Sequence, residues 1–292
     1  MIRFGDFTIC CVNDGFFRLD GGAMFGIVPK SVWERNNPTD EKNRILLSLN
    51  CLLIQNRKTT ATILVDTGIG VKDNETQERF KRFYDFHGSR IVENIYDIAG
   101  LLPHEISFVI NTHLHLDHAG GNTYFDEQEG GEKITFYNAK YVIQKGELEA
   151  ALADNERTNG SYLKDSIKTL MRCDEDNLML IDAEEKEIIR GVSVLRTGGH
   201  TKHHQCVKIV SNGKTVLYLG DLIPTVSHLN LAWIMGYDLY PLDTLRMKEK
   251  LLNQAFIERW LLVFEHDPNI AMGYLRKENK GEWAIEVVER IE

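Results

Sequence analysis

Residues 112–122 read Thr-His-Leu-His-Leu-Asp-His-Ala-Gly-Gly-Asn and place His113, His115, Asp117 and His118 within six positions. Imidazole nitrogen and carboxylate oxygen suit zinc, iron, cobalt and manganese, and an open coordination position would make such an ion a Lewis acid. Glu105 to Asn111, just upstream, is a β-branched and aromatic run that reads as a buried strand, so the four donors begin where a strand ends. His113 and His115, two apart, can converge on one ion. Asp117 and His118 begin the next turn or helix and point differently, so two adjacent metal positions are easier to build than one. An incidental histidine tract in a loop is the alternative, and three clustered imidazoles argue against it.

A metal pair needs more than four donors, and three further residues stand at similar element ends. His200 follows the strand-like Val192-Ser193-Val194-Leu195 in a glycine-rich turn that allows close backbone approach. Asp221 follows Val216 to Gly220, a hydrophobic strand ending in glycine. His266 follows the apolar run Trp260 to Phe264 and precedes Asp267-Pro268.

The order His-x-His-x-Asp-His, then His200, Asp221 and His266, resembles the metallo-β-lactamase superfamily of dinuclear metal hydrolases, over nearly the whole chain. Leu64-Val65-Asp66-Thr67-Gly68 is similar to that superfamily's early strand and turn. Gly220 to Thr225 resembles its lactonase and organophosphate-hydrolase branch, which holds the quorum-quenching N-acyl homoserine lactone lactonases and methyl-parathion hydrolases. Asp221 falls 21 residues after His200 and His266 falls 45 after Asp221, spacings similar to those lactonases.

The resemblance implies a ligand set. One ion would be held by His113, His115 and His200 and the other by Asp117, His118 and His266, with the two oxygens of Asp221 bridging both. It implies two divalent ions per chain, zinc first, although iron, manganese and cobalt also accept such donors. Asp66 would accept a hydrogen from a ligand imidazole and fix the ring's orientation; a turn aspartate capping Asp-Thr-Gly is the plainer reading. Two departures stand out. Gly198, Lys202 and His203 replace the two prolines and second glycine common around His200, and Pro224 occupies the position where acyl homoserine lactonases often carry a tyrosine.

The chemistry implied is attack of a hydroxide shared by two cations on a lactone or ester carbonyl. Asp221 holds the cations together and Asp117 returns the proton to the leaving alkoxide. Phosphotriester or aryl-ester hydrolysis at the same site, and iron-dependent oxidation of the persulfide-dioxygenase kind, are the alternatives; metal content and oxygen consumption separate them. A non-catalytic binding protein would not need seven such donors.

The 292 residues are large enough for a substantial core and show no linker, repeat or low-complexity stretch, so one domain is expected over 1–292. Within it a lid-like loop about 20–44 and a helical insertion about 144–173 are expected. A formal charge of −9 without a basic run argues against nucleic acid. The start lacks a signal peptide's features and no 18-residue apolar run occurs, so no membrane association and a cytoplasmic protein are expected. Five cysteines, Cys10, Cys11, Cys51, Cys173 and Cys206, read as reduced core thiols.

The fold class expected is α/β, and the resemblance implies a four-layer αββα sandwich of two mixed sheets. Residues 2–12, 45–55 and 61–66 read as strands, and 207–219 as a hairpin about Asn212-Gly213. Residues 92–102, 146–153, 162–171 and 243–259 read as helices, and 269–276 and 282–289 as strands flanking Asn279-Lys280-Gly281. Asp20 to Lys30 is too rich in glycine for a helix and too apolar for a solvent loop. Such a loop should pack on something; the resemblance to the lactonase branch, which has a similar apolar loop beside its metals, implies that Met24 and Phe25 line a pocket for an acyl tail, with anchoring of the loop as the plainer reading. His228 and Trp233, in the apolar segment 228–238, are the other pocket candidates, with a buried, satisfied histidine as the plainer reading of His228. The substrate expected is a small ester or lactone with an apolar tail, and an apolar lid shared between subunits would make a homodimer interface.

Overall fold

Leu47 through Ile54 are all buried, as in a strand packed on both faces rather than one that alternates between core and water. That run lies in a computed structural model that describes residues 1–173, 175–278 and 282–288. Two compact units result: Arg3–Gly15 with Leu49–Ala183, and Phe16–Ser48 with Glu184–Glu292. The helices are α1 (Gly21–Phe25), α2 (Lys30–Trp33), α3 (Asn74–Tyr84), α4 (Ile91–Ala99), α5 (Leu116–Ala119), α6 (Lys145–Leu152), α7 (Lys164–Leu170) and α8 (Pro241–Ile257).

The first sheet is built from β1 (Ile2–Phe4), β2 (Phe7–Asp20), β3 (Arg44–Asn56), β4 (Thr62–Val65) and β5 (Phe108–Ile110). After the separate hairpin of β6 (Thr123–Asp126) and β7 (Gly131–Ile134) come β8 (Lys140–Gln144) and β9 (Leu178–Ile181). The order is β1-β2-β3-β4-β5-β8-β9. Strands β3 and β4 are antiparallel, and the pairs β4–β5, β5–β8 and β8–β9 are parallel. Parallel neighbours need long crossovers, which is why α3 to α7 fall between these strands. The first unit's core joins Leu53, Leu64 and Val109 to Ile95 of α4 and to Leu148 and Ile167 of α6 and α7.

The second sheet runs in chain order through β10 (Glu185–Ile189), β11 (Val192–Arg196), β12 (Gln205–Ser211), β13 (Lys214–Tyr218), β14 (Leu261–Val263), β15 (Met272–Lys277) and β16 (Trp283–Val287). Its one parallel pair among the described strands, β13–β14, is spanned by α8, which starts with Pro241 in its first turn. Two large mixed sheets with helices are thus present, in the α/β class expected. Asn212 (φ 51°) and Gly213 (φ 72°) make the turn of the β12–β13 hairpin, a left-handed pair typical of two-residue hairpins.

Several boundaries differ from expectation. The strand expected over 2–12 breaks at Gly5, whose φ of 56° turns the chain between β1 and β2. The helix expected to reach 102 stops at Ala99, because Gly100 caps it in the left-handed region and Pro103 begins a short 3-10 turn over part of the strand expected from 105. Residues 21–25 form a helical turn despite their glycines. Asp20 accepts from Ala23 N at 2.8 Å as N-cap, and Gly26 at φ 57° ends the turn; local capping outweighs propensity here. The turn expected at 279–281 lies outside the described residues. No described helix is long and apolar enough to cross a membrane.

Candidate metal centre

In the first unit, β5 ends at Ile110 and delivers the histidine tract directly. His113 and His118 are buried, and His115 and Asp117 are half-buried. The His113 ring centroid lies 4.5 Å from that of His115 and 4.0 Å from that of His118. Asp117 Oδ1 lies 3.8 Å from His118 Nε2. The unit therefore gathers all four donors of the tract.

Asp66, fully buried at the end of β4, organises this cluster. Its Oδ1 accepts from Thr112 N at 2.7 Å, and its Oδ2 accepts from Thr112 Oγ1 at 2.7 Å and from His118 Nδ1 at 3.1 Å. Thr112 Oγ1 in turn lies 3.1 Å from His113 Nδ1. Asp66 stands at φ 54°, a conformation costing about 1–3 kcal/mol for a residue with a side chain. The turn after it packs so closely that a Cβ on Gly121 would come within 2.1 Å of Thr67 O, which explains the glycines of Ala-Gly-Gly-Asn. Burial, and then the Asp117 charge, raises the phenol of Tyr84, at the end of α3, above the ordinary value.

In the second unit, Asp221 presents one oxygen to each of two imidazoles. Its Oδ2 lies 3.1 Å from His200 Nε2 and its Oδ1 3.1 Å from His266 Nε2. Each ring is held from behind. His200 Nδ1 lies 2.9 Å from Asp238 Oδ1, and Thr244 Oγ1 donates to Asp238 Oδ2 at 2.8 Å. His266 Nδ1 donates to Ser48 O at 2.8 Å, and the Phe17 ring stands edge-on 5.4 Å away. Asp221 N donates to His204 Nε2 at 3.1 Å, while His204 Nδ1 reaches Thr197 Oγ1 at 2.6 Å. His204 thus supports the Asp221 backbone.

These contacts set the chemistry of the rings. His118, His200 and His266 each have Nδ1 on an acceptor, which places the hydrogen there and leaves Nε2 with a lone pair. A lone pair 3.1 Å from a carboxylate oxygen is repulsive unless a proton or a cation lies between them. A divalent ion relieves this at either oxygen, so the donor set fits first-row metals.

The four pocket candidates come together in the second unit. Phe25 stacks on Trp33 (5.0 Å, 21°) and His228 (4.8 Å, 7°), with the Trp233 ring edge-on at 5.4 Å. His228 Nδ1 lies 2.8 Å from Thr225 Oγ1 and its Nε2 donates to Met24 O at 2.8 Å. Burial lowers its pKa to about 3, so the ring is neutral. Met24, Phe25 and His228 are buried, whereas Trp233 is half-buried and lines a cleft of about 830 Å³ with Thr225, Ser227, Asp267 and Trp283.

Sequence reasoning missed Asp238, Thr112, Tyr84 and Lys248. Lys248 is buried on α8 and donates to Asn230 O at 2.9 Å and Trp233 O at 2.7 Å, which ties down the segment that carries Trp233; burial lowers its pKa to about 7. Thr112 begins the histidine tract and could have been suspected from that place. The other three lie far along the chain from the groups they serve, with no local signal.

The family model described as Metallo-beta-lactamase superfamily matches residues 45–266. An N-acyl homoserine lactonase from a Bacillus species is 30% identical over 182 residues, covering 61% of this chain and 62% of the relative. The N-acyl homoserine lactonase AttM of Rhizobium radiobacter is 27% identical over 172 residues, 58% of this chain and 61% of the relative. The chain thus spans less than two thirds of the length of these curated relatives. A solved structure described as a probable metal-dependent hydrolase from Staphylococcus aureus has a TM-score of 0.85 at 28% identity, covering 99% of this chain and 100% of that one. AidC, a dizinc quorum-quenching lactonase, has a TM-score of 0.78 at 21% identity over 99% and 97%, a likeness of fold.

Proposed function

The chain belongs to the metallo-β-lactamase superfamily, and from that premise we propose that it is a dinuclear-metal hydrolase opening a lactone, an N-acyl homoserine lactone first, or cleaving an ester. The observation that carries this reading is Asp221, whose two oxygens each face an imidazole Nε2 at 3.1 Å, as a carboxylate shared by two cations requires. In this reading His113, His115 and His200 hold one ion, Asp117, His118 and His266 hold the other, and Asp221 bridges. Two divalent ions, zinc first, would supply Lewis acidity toward a carbonyl and lower the pKa of a water toward neutrality.

The chain's own residues have separate tasks. Asp66, Asp238 and Ser48 O hold the Nδ1 hydrogens, so that Nε2 of each ring stays a donor to metal. Asp117, half-buried beside His118, takes up the proton that the attacking water gives up and passes it to the leaving alkoxide. Trp233 offers apolar surface to the substrate's tail, backed by the packed layer of Met24, Phe25 and His228. The chain works as one hydrolase domain, with 20–44 lid-like and 144–173 inserted. Five cysteines that read as reduced core thiols fit a reducing compartment, hence the cytoplasm, and the charge of −9 argues against nucleic acid.

Pro224 favours a second reading. It stands where lactonases often carry tyrosine, and its hydrocarbon ring offers no hydroxyl to a lactone carbonyl; its own carbonyl accepts from His266 N at 3.0 Å. Aryl esters or phosphotriesters are then the substrates. The deciding experiment follows proton release at constant pH when zinc-reconstituted protein meets short- and long-chain N-acyl homoserine lactones, with chelated protein as control. Metal-dependent turnover that improves with chain length supports the lactonase reading. Release only from aryl esters or phosphotriesters moves the assignment to them, and one iron per chain with oxygen consumption would replace hydrolysis by oxidation.

A further inference from the structure

The helical segment around α6 and α7 has no part in the chemistry above, yet it grips the histidine tract at consecutive positions. Glu147 on α6 is buried, and a buried carboxylate is costly unless donors meet it. Its Oε1 accepts from Leu114 N at 3.2 Å, the peptide between His113 and His115, and from Tyr162 Oη at 3.1 Å. The Tyr162 ring stands edge-on to His115, 4.9 Å between centroids and at 62°. Ser161 O accepts from Leu116 N at 2.8 Å. Leu114 is buried in the same core as Leu148, Ala151 and Tyr162. Residues 114, 115 and 116 are thus each held by the segment that follows β8.

Such support matters because the ladder of β5 ends at Ile110, short of the tract. An extended His-x-His converges on one point only if the peptide between the rings keeps its orientation. We propose that Glu147 and Tyr162 are positioning residues that fix the Leu114 peptide and the His115 ring, so that His113 and His115 present their nitrogens to one ion. This rests on the reading of both histidines as metal ligands. Burial, and next the Glu147 charge, raises the Tyr162 phenol above its ordinary value, which keeps it protonated as the donor to Glu147.

The test uses cobalt(II)-loaded full chain, which needs no substrate and so fails independently of the lactone assignment. The readouts are the visible absorption spectrum, the rate of cobalt loss to excess chelator, and the melting of the metal-free protein. Glu147→Ala and Tyr162→Leu are expected to lose cobalt about tenfold faster or more, with an altered spectrum. Glu147→Gln, whose amide oxygen still accepts from Leu114 N, should stay close to wild type. Wild-type spectrum and release rate in both disruptive variants overturn the proposal, as does a lowered metal-free melting point with an unchanged spectrum. If Glu147→Ala does not fold, Tyr162→Phe decides, since it removes one hydroxyl and keeps the ring: faster release supports the proposal and wild-type release refutes it. Wild-type protein that takes up no cobalt overturns the metal reading itself, before any variant is made.

Discussion

Asp14 is a buried carboxylate whose ionisation should be visible in the stability of the whole chain. Its Oδ1 accepts from Ser89 Oγ and, at 2.8 Å each, from Arg90 N and Ile91 N at the start of α4; its Oδ2 accepts from Ile69 N at 3.0 Å, just beyond the Asp66 turn. Burial raises its pKa from 3.8 to about 6, against the four donors that pull it down. A folded pKa above the unfolded one means that the native state binds more protons between about pH 4 and pH 6, so stability falls as pH rises through that window. A shift of about two pKa units corresponds to roughly 3 kcal/mol. Asp14→Asn puts a neutral amide where the neutral acid would be and removes the titration. Urea unfolding of metal-free protein at pH 4, 5, 6 and 7 should therefore show the variant gaining on wild type by about 3 kcal/mol as pH rises, most of it by pH 7. A variant that instead loses ground with rising pH would show that the four hydrogen bonds outweigh burial and that the folded pKa lies below the unfolded one.

Asp221→Ala should lose bound metal and turnover together, read by metal analysis and proton release; full metal content with undiminished turnover would sink its bridging role. Asp238→Ala removes the acceptor behind His200 and should weaken metal affinity about 10–100-fold in chelator competition. Unchanged affinity would make Asp238 a matter of packing alone. Phe25→Ala empties the stack between Trp33 and His228 and should cost about 3–5 kcal/mol of stability by denaturant unfolding; a loss well under 1 kcal/mol would mean that the neighbouring rings close the gap.

How much could be read from the chain alone depended on the range of each interaction. The apolar run Val216 to Leu219, the Asn212-Gly213 turn and the tract from His113 to His118 act within a few residues, so their strands, hairpin and donors were legible in the order of residue types. Helix ends were less so, since Gly100 had to be recognised as a left-handed cap and Asp20 as an N-cap able to override the glycines after it. His200, Asp221 and His266 were legible as element ends, and the resemblance assigned them roles. Only the tertiary structure decided that Asp221 turns one oxygen to each of His200 and His266, that Asp238 stands behind the first ring and Ser48 O behind the second, and that Glu147 and Tyr162 hold the peptide between His113 and His115. It also decided that Met24, Phe25 and His228 are packed against one another while Trp233 reaches a cleft. The hydrogen-bonded and charge-paired partners among these are 15 to 218 positions apart, where residue types carry no trace of proximity and side-chain direction is set by packing.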